Sequence, residues 1–336
     1  IHADFTASSL NDAQGTLRIS NGSVSATQNH RPFRLDNLIV TSGYENDIHF
    51  VSLKSDFADA TIRGEFDYAT LPHSIIGLVA YRLPTLPGLP AVIPKTDNNF
   101  SLRLMMTKTD WLQRFLGADL VLRQPLMLNA RVNDHTREIY LEGDIPAFSY
   151  NGAQYTDGIV HVTSPGDTLR CDVGISKQLD NGHAMTAIAN LSAAHNKLNT
   201  SLSWDNHNPD QRVSGQMNGI VQLYRNLDNE PEAHMRVIPS HIVLKDGTWE
   251  VEPADIIYNK NHLLVDNFMV RRGQQHILID GVASEYPQDS LSVDLNQVEV
   301  EYILDLVNFH SVEFSGKATG RATGRALFDK FAAHTS

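Results

Sequence analysis

A two-residue rhythm constrains this chain more than any other feature of its sequence. The run LSVDLN at 291–296 sets Leu291, Val293 and Leu295 on one side and Ser292, Asp294 and Asn296 on the other, the pattern of a strand with one apolar and one wet face. The rhythm returns in short runs such as GTLRIS, IHFVSLKS, ATIRGEF, FSLRLMM, EIYLEGDI, TLRCDVGI and HILIDGV, ended by Gly, Asn, Asp or Pro. The expected fold is therefore mostly β and antiparallel. Something must cover the apolar faces. About 20 strands at ~4.8 Å would extend to ~100 Å, and open twisted sheets of more than ~10 strands curl, split or close. An apolar face that long also exceeds the few hundred Å² that soluble monomers leave bare. A sandwich or barrel would cover it with protein, whereas an open trough would leave it for a hydrocarbon ligand. The rhythm alone does not choose between these.

Helical signals are few. TKTDWLQRFLG starts near an N-cap, groups Trp111, Leu112, Phe115 and Leu116 on one side and meets Gly117 at its stop. EVEYILDLV (299–307) has the same character, and 71–83 predicts a third short helix. A Pro-rich apolar insert spans 70–95, with five prolines from Pro72 to Pro94. Elements also repeat: 100–116 and 291–307 align without a gap, pairing Phe100 with Leu291, Leu102 with Val293, Leu104 with Leu295, and Trp111 with Tyr302. A second echo pairs RLDNLIV (34–40) with LVDNFMV (264–270), and TDGIVHV (156–162) is a fainter copy. The spacing predicts one continuous elongated segment of roughly three divergent units of about 110–120 residues, near 1–130, 131–240 and 241–336.

Several function classes are disfavoured. A net charge of -12 opposes phosphate backbones and anionic membrane surfaces, so nucleic acid is not an expected partner. Fifteen histidines are scattered without H-x-H or H-E-x-x-H spacing, so no metal site and no cofactor is expected. The single Cys171 cannot form an internal disulfide. SGKATGRATGR lacks the order of a phosphate loop; as a strand it places Gly316, Ala318, Gly320, Ala322 and Gly324 on one face. The stretch from Ser74 to Ile93 is broken by Arg82 and prolines before it reaches the roughly 20 apolar residues of a membrane span. The sequence opens on Ile1 and reads as a piece of a longer chain.

From Trp249 to Gly324, the succession WEVEPADIIY, LLVDNFMV, HILIDGVAS, DSLSVDL and FSGKATGRATG resembles the TamB branch of the AsmA-like superfamily, in its Bacteroidota form. RPFRLDNLIV, ATIRGEFDY and TLPHSIIGLVAYRLP are similar to that family's upstream repeats. The resemblance covers most of the chain and rests on apolar spacing and glycine, not on catalytic signatures. It implies an elongated U-shaped sheet, a β-taco, whose concave apolar face holds phospholipid acyl chains in the periplasm. It further implies an inner-membrane anchor outside this sequence, an outer-membrane barrel partner of the TamA type or its equivalent, and a role in lipid transport or outer-membrane protein assembly.

The expected function is thus a non-enzymatic lipid-binding groove that conducts phospholipid between membranes. Phe100, Leu102, Leu104, Ile277, Ile279, Leu291, Val293 and Leu295 are its expected wall. One alternative is an outer-membrane protein or autotransporter assembly scaffold that lends strand edges by β-augmentation. Another is a carbohydrate-binding or carbohydrate-active β-sandwich or β-helix that uses Trp204, Trp249 and Tyr258 to stack on sugars.

Overall fold

The structure is a computed structural model. It describes residues 1–7, 9–24, 33–112, 117–179, 182–245, 247–300, 316–328 and 332–335. These residues form a mostly β, antiparallel protein with short helices, as the alternation predicts. They gather into two compact units, one of Ile1–Arg82 with Leu89–Ser192, the other of Leu83–Gly88 with Ala193–Ser336.

In the first unit, β1 (His2–Thr6), β2 (Gln14–Val24), β3 (Phe33–Glu45), β4 (Ile48–Ser55) and β5 (Ala58–Glu65) pair in sequence order. β6 (Asn99–Met106) pairs with β5 and, on its other side, with β8 (Leu126–Asn133). The short β7 (Leu120–Leu122) and β8 both pair with β9 (Glu138–Tyr150), at opposite ends of that strand. β10 (Ala153–Thr163) and β11 (Leu169–Gln178) follow. β12 (Ala184–Ala194) lies beside β11, with Asn190 Nδ2 donating to Asp172 at 2.7 Å. Turn chemistry explains this hairpin order. Asn46 and Asp47 take φ of 53° and 61° between β3 and β4, and Asn151 and Gly152 take 48° and 80° between β9 and β10; these left-handed pairs make the tight turns that match strand twist.

The insert between β5 and β6 contains α1 (Leu71–Arg82), the helix expected at 71–83. Ser74, Leu78 and Arg82, four residues apart, form its buried stripe. Leu78 joins Phe100, Val132 and Ile139 in a core cluster, with Ile62, Leu71, Leu102 and Leu169 packed around it. At ~1.5–3 kcal/mol per buried side chain, this cluster is the main force holding the helix on the sheet. Buried polar groups fix its start. Asn98 Nδ2 donates to Thr70 Oγ1 at 3.0 Å and to Ser74 Oγ at 2.7 Å, while Asp134 Oδ2 accepts from Ser74 Oγ and from the Asn98 N–H, both at 2.8 Å. The end is fixed by Arg82, whose guanidinium donates to the carbonyls of Leu78, Arg137 and Gly166 at 3.1, 2.9 and 3.3 Å.

In the second unit, β13 (Lys197–Asp205), β14 (Ser214–Arg225) and β15 (Pro231–Leu244) pair in order. β15 pairs along its length with both β16 (Gly247–Val251) and β17 (Ala254–Asn259), and both pair with β18 (His262–Arg272). β19 (Gln275–Ser284), β20 (Ser290–Glu299), β21 (Lys317–Arg325) and β22 (Ala332–Thr335) complete the ladder. Val237, Val251 and Ala254 are its buried cluster. Pro239 in β15 sits where the register with β14 shifts, a place where the missing N–H breaks no regular pairing.

Two expected helices run into residues outside the described ones. Residues 110–112 are helical, but 113–116, which include Phe115 and Leu116, lie outside them. So do 301–315, and with them most of EVEYILDLV.

Candidate functional site

Cross-strand register turns single alternating strands into continuous surfaces. In the first unit, one row of directly paired residues runs through Ala3, Leu17, Val40, Leu53 and Ala60 on β1–β5. It continues through Leu104, Leu128, Gly143, Val160 and Val173 on β6 and β8–β11. Its neighbour on the same face runs through Val51, Ile62, Leu102, Ala130, Leu141, Val162 and Cys171. No charged residue occurs in either run. The opposite face is its inverse: Asp4, Thr16, Thr41, Ser52, Thr61, Arg103, Asn129, Glu142, His161 and Asp172 form a row polar at every step. A one-residue slip anywhere would exchange these faces, so the register is held by the whole apolar set.

Burial along the apolar face is graded. Under α1 the face is closed, with Phe100, Val132 and Ile139 at 8%, 2% and 8% exposure. One and two rows away from the helix, Leu53, Ile62, Leu102, Leu104, Leu128, Leu141, Val160 and Val162 are only partly buried. Among the described elements, the main contacts are between neighbouring strands of the ladder, apart from α1 against β9 and β19 against β21. The helix therefore covers one margin of the apolar face and leaves most side chains of the two neighbouring rows partly accessible, Ala130 at 7% exposure excepted.

The second unit has the same construction. Leu198, Val221, Met235, Ile256, Val265, Gly281, Leu291 and Gly324 are paired step by step. A parallel row runs Phe268, Ile279, Val293 and Ala322, and a third Val270, Ile277, Leu295 and Gly320. The glycine-alanine strand β21 thus lies against the branched side chains of β20, as its alternation predicts.

The eight expected wall residues fall into two groups. Phe100, Leu102 and Leu104 share one face of β6 in the first unit, with Phe100 sealed beneath α1 and the other two partly accessible. Ile277, Ile279, Leu291, Val293 and Leu295 share one face of β19 and β20 in the second, with Ile277 opposite Leu295 and Ile279 opposite Val293. Sequence reasoning missed Leu128, Val160, Val173 and Cys171, whose alternation is equally clear; Leu128, Val173 and Cys171 stand on strands outside the internal repeat, and Val160 stands in its faintest copy, TDGIVHV.

Among the described residues, no group of three His, Cys, Asp or Glu side chains could hold a metal ion, and no helix is long and apolar enough to cross a membrane. A depression of ≈ 640 Å³ is lined in part by Arg131, Glu138, Tyr140 and Arg170 on the wet side, and carries both signs of charge. Of the aromatic residues expected to stack on sugars, Trp249 is 1% exposed, the Trp204 ring lies against Gly215, and Tyr258 is 42% exposed. The thiol of Cys171 is pushed up by burial and by neighbouring Asp172, which makes it a sluggish nucleophile. His49 is held below its ordinary value by burial; it lies 3.0 Å from Ser42 Oγ and stacks between Tyr44 and Phe66.

Comparison of the chain with protein-family models, with curated proteins and with solved structures finds no match in any of the three.

Proposed function

We propose that the apolar sheet faces bind phospholipid acyl chains and that the chain is a non-enzymatic segment of a lipid conduit in a cell envelope, of the TamB and AsmA-like kind. The observation that carries this reading is the register: in the first unit an uncharged row crosses ten strands, backed by a wholly polar row, and most of it stays partly open to solvent. Each methylene moved from water onto such a surface contributes ~0.8 kcal/mol without any directional bond. A row of near-equivalent Leu, Val, Ile and Ala contacts holds a tail at many positions of similar energy. That favours sliding along the row over trapping in one pocket. On this reading the parent protein works in the periplasm, anchored in the inner membrane and meeting an outer-membrane barrel.

The test is to purify the protein without detergent, extract it with organic solvent and identify the extract by mass spectrometry, then titrate it with labelled phospholipid. Recovered phospholipid and saturable binding support the reading; neither lipid nor binding overturns it. Photo-crosslinkers on the apolar face should trap lipid. Capture of nascent barrel proteins from edge strands, with none of lipid from the face, would favour β-augmentation instead.

A further inference from the structure

We infer that α1 and the loop at 89–94 form an apolar knob that docks the first unit onto a zwitterionic lipid surface. α1 has inverted polarity for a helix on the outside of a protein. Its buried stripe carries Ser74 and Arg82, the latter 1% exposed, while Ile75 points outward at 45% exposure. A water-facing helix ordinarily carries its charges on the exposed side, and a helix apolar all round belongs inside protein or lipid. Arg82 is the one charged residue from 68 to 94, and carbonyl oxygens occupy its guanidinium. The loop continues the surface. Ile93 packs near Gly77 of α1, with Cγ2 4.0 Å from where a Cβ on Gly77 would lie. Val92 is 80% exposed, and Pro90, Ala91 and Pro94 flank it.

Two features favour lipid over a protein partner. A protein interface carries hydrogen-bonding groups that fix register, whereas the exposed side chains of 71–80 and 89–94, those of Pro72, Ile75, Pro90, Ala91, Val92 and Pro94, are all apolar; hydrocarbon needs no polar partner. Tyr81 marks the border instead. Its ring lies under the Arg137 guanidinium at 4.0 Å and its hydroxyl donates to Asp167 at 3.3 Å, so an amphipathic aromatic separates the apolar surface from charged groups, as at a membrane–water interface. The inner side of the same helix closes one margin of the apolar sheet face, so docking would bring that face next to the lipid. The net charge of -12 selects a neutral surface over an anionic one. Docking rests on the lipid-binding reading only for its purpose.

The test is flotation with phosphatidylcholine vesicles, using the wild type, the double variant Ile75→Glu with Val92→Glu, and a control, Leu227→Glu, at an apolar site 106% exposed in the second unit. The wild type and control should float alike, and the double variant should lose about ten-fold or more of its vesicle-bound fraction. Circular dichroism and binding of a soluble fluorescent acyl probe should be equal in all three. Equal flotation of the double variant, no flotation of the wild type, or flotation only after adding other envelope proteins overturns the inference. Flotation that depends on Ile75 and Val92 while no form binds the acyl probe supports docking and refutes lipid holding by the sheet.

Discussion

Leu104 and Met105 are consecutive residues of β6 that point to opposite faces, and an arginine at each distinguishes an open apolar face from a closed core. Leu104 lies in the apolar row between Ala60 and Leu128; Met105 pairs with Asp59 and Met127 and is 40% exposed. An acyl chain lying along the row meets one side chain per strand, every ~4.8 Å. Leu104→Arg should therefore displace about four methylenes, a loss of ~3 kcal/mol and a rise of roughly 100-fold in the dissociation constant of an acyl probe. Met105→Arg should leave binding unchanged. Stability adds a second measure. On a partly accessible face the stem of the introduced arginine can lie along apolar neighbours while its guanidinium reaches water, costing about 1–2 kcal/mol. In a sealed core the unpaired charge would cost several kcal/mol more and threaten the fold. Fluorescence titration and urea unfolding of both variants check these values. Equal binding by two folded variants, or global unfolding by Leu104→Arg alone, would show that this face is a closed core and not an open surface.

Val293→Arg and Leu295→Arg, opposite Ile279 and Ile277 in the second unit, should block phospholipid transfer between donor and acceptor vesicles while leaving circular dichroism unchanged; wild-type transfer by a folded variant counts against those positions. Val132→Ala removes two methyl groups from the cluster beneath α1, where Val132 is 2% exposed. It should cost about 2 kcal/mol in denaturant unfolding, and a change under about 0.5 kcal/mol would deny that the helix is seated there. His49, held below its ordinary value of 6.5 by burial, contributes stability that is fully present above about pH 6.5 and lost as pH falls through its lowered folded value, because the unfolded chain takes up the proton first. The midpoint of denaturation should fall between about pH 7.5 and about pH 5.5, and His49→Phe should flatten that part of the profile.

Alternation makes much of the fold legible in advance. IHFVSLKS coincides with β4, and KATGRATGR reads as a strand of small residues because period-two spacing survives without large side chains. The echo between 100–104 and 291–295 puts six side chains on apolar faces, and the register pairs each of them with apolar or small neighbours. Bulges are not legible. Asp157, Asn267 and Gln297 take φ of 55°, 53° and 52° at register shifts in β10, β18 and β20. Beyond Gln297 the faces exchange, so Val298, not Gln297, returns to the interior at 0% exposure. The Asp157-Gly158 and Asp266-Asn267 pairs contribute this bulge chemistry at two of the three sites. α1 is legible as a helix but not in orientation, because its buried stripe of Ser74, Leu78 and Arg82 is less apolar than its outside. Only the partners Asp134, Arg137 and Gly166, distant in sequence, show why polar groups turn inward there.

Cys171 allows the most direct test of the central claim. It is the chain's one cysteine, and it stands in the apolar row beside Val162. Alkylation by a maleimide should be followed with and without phospholipid, in the wild type and in a Cys171→Ser, Met127→Cys variant, which moves the thiol to the opposite face at a site 47% exposed. If acyl chains occupy the apolar face, lipid slows the reaction at Cys171 and leaves that at position 127 unchanged. Equal rates at Cys171 with and without lipid, in protein shown to be folded, would contradict the account.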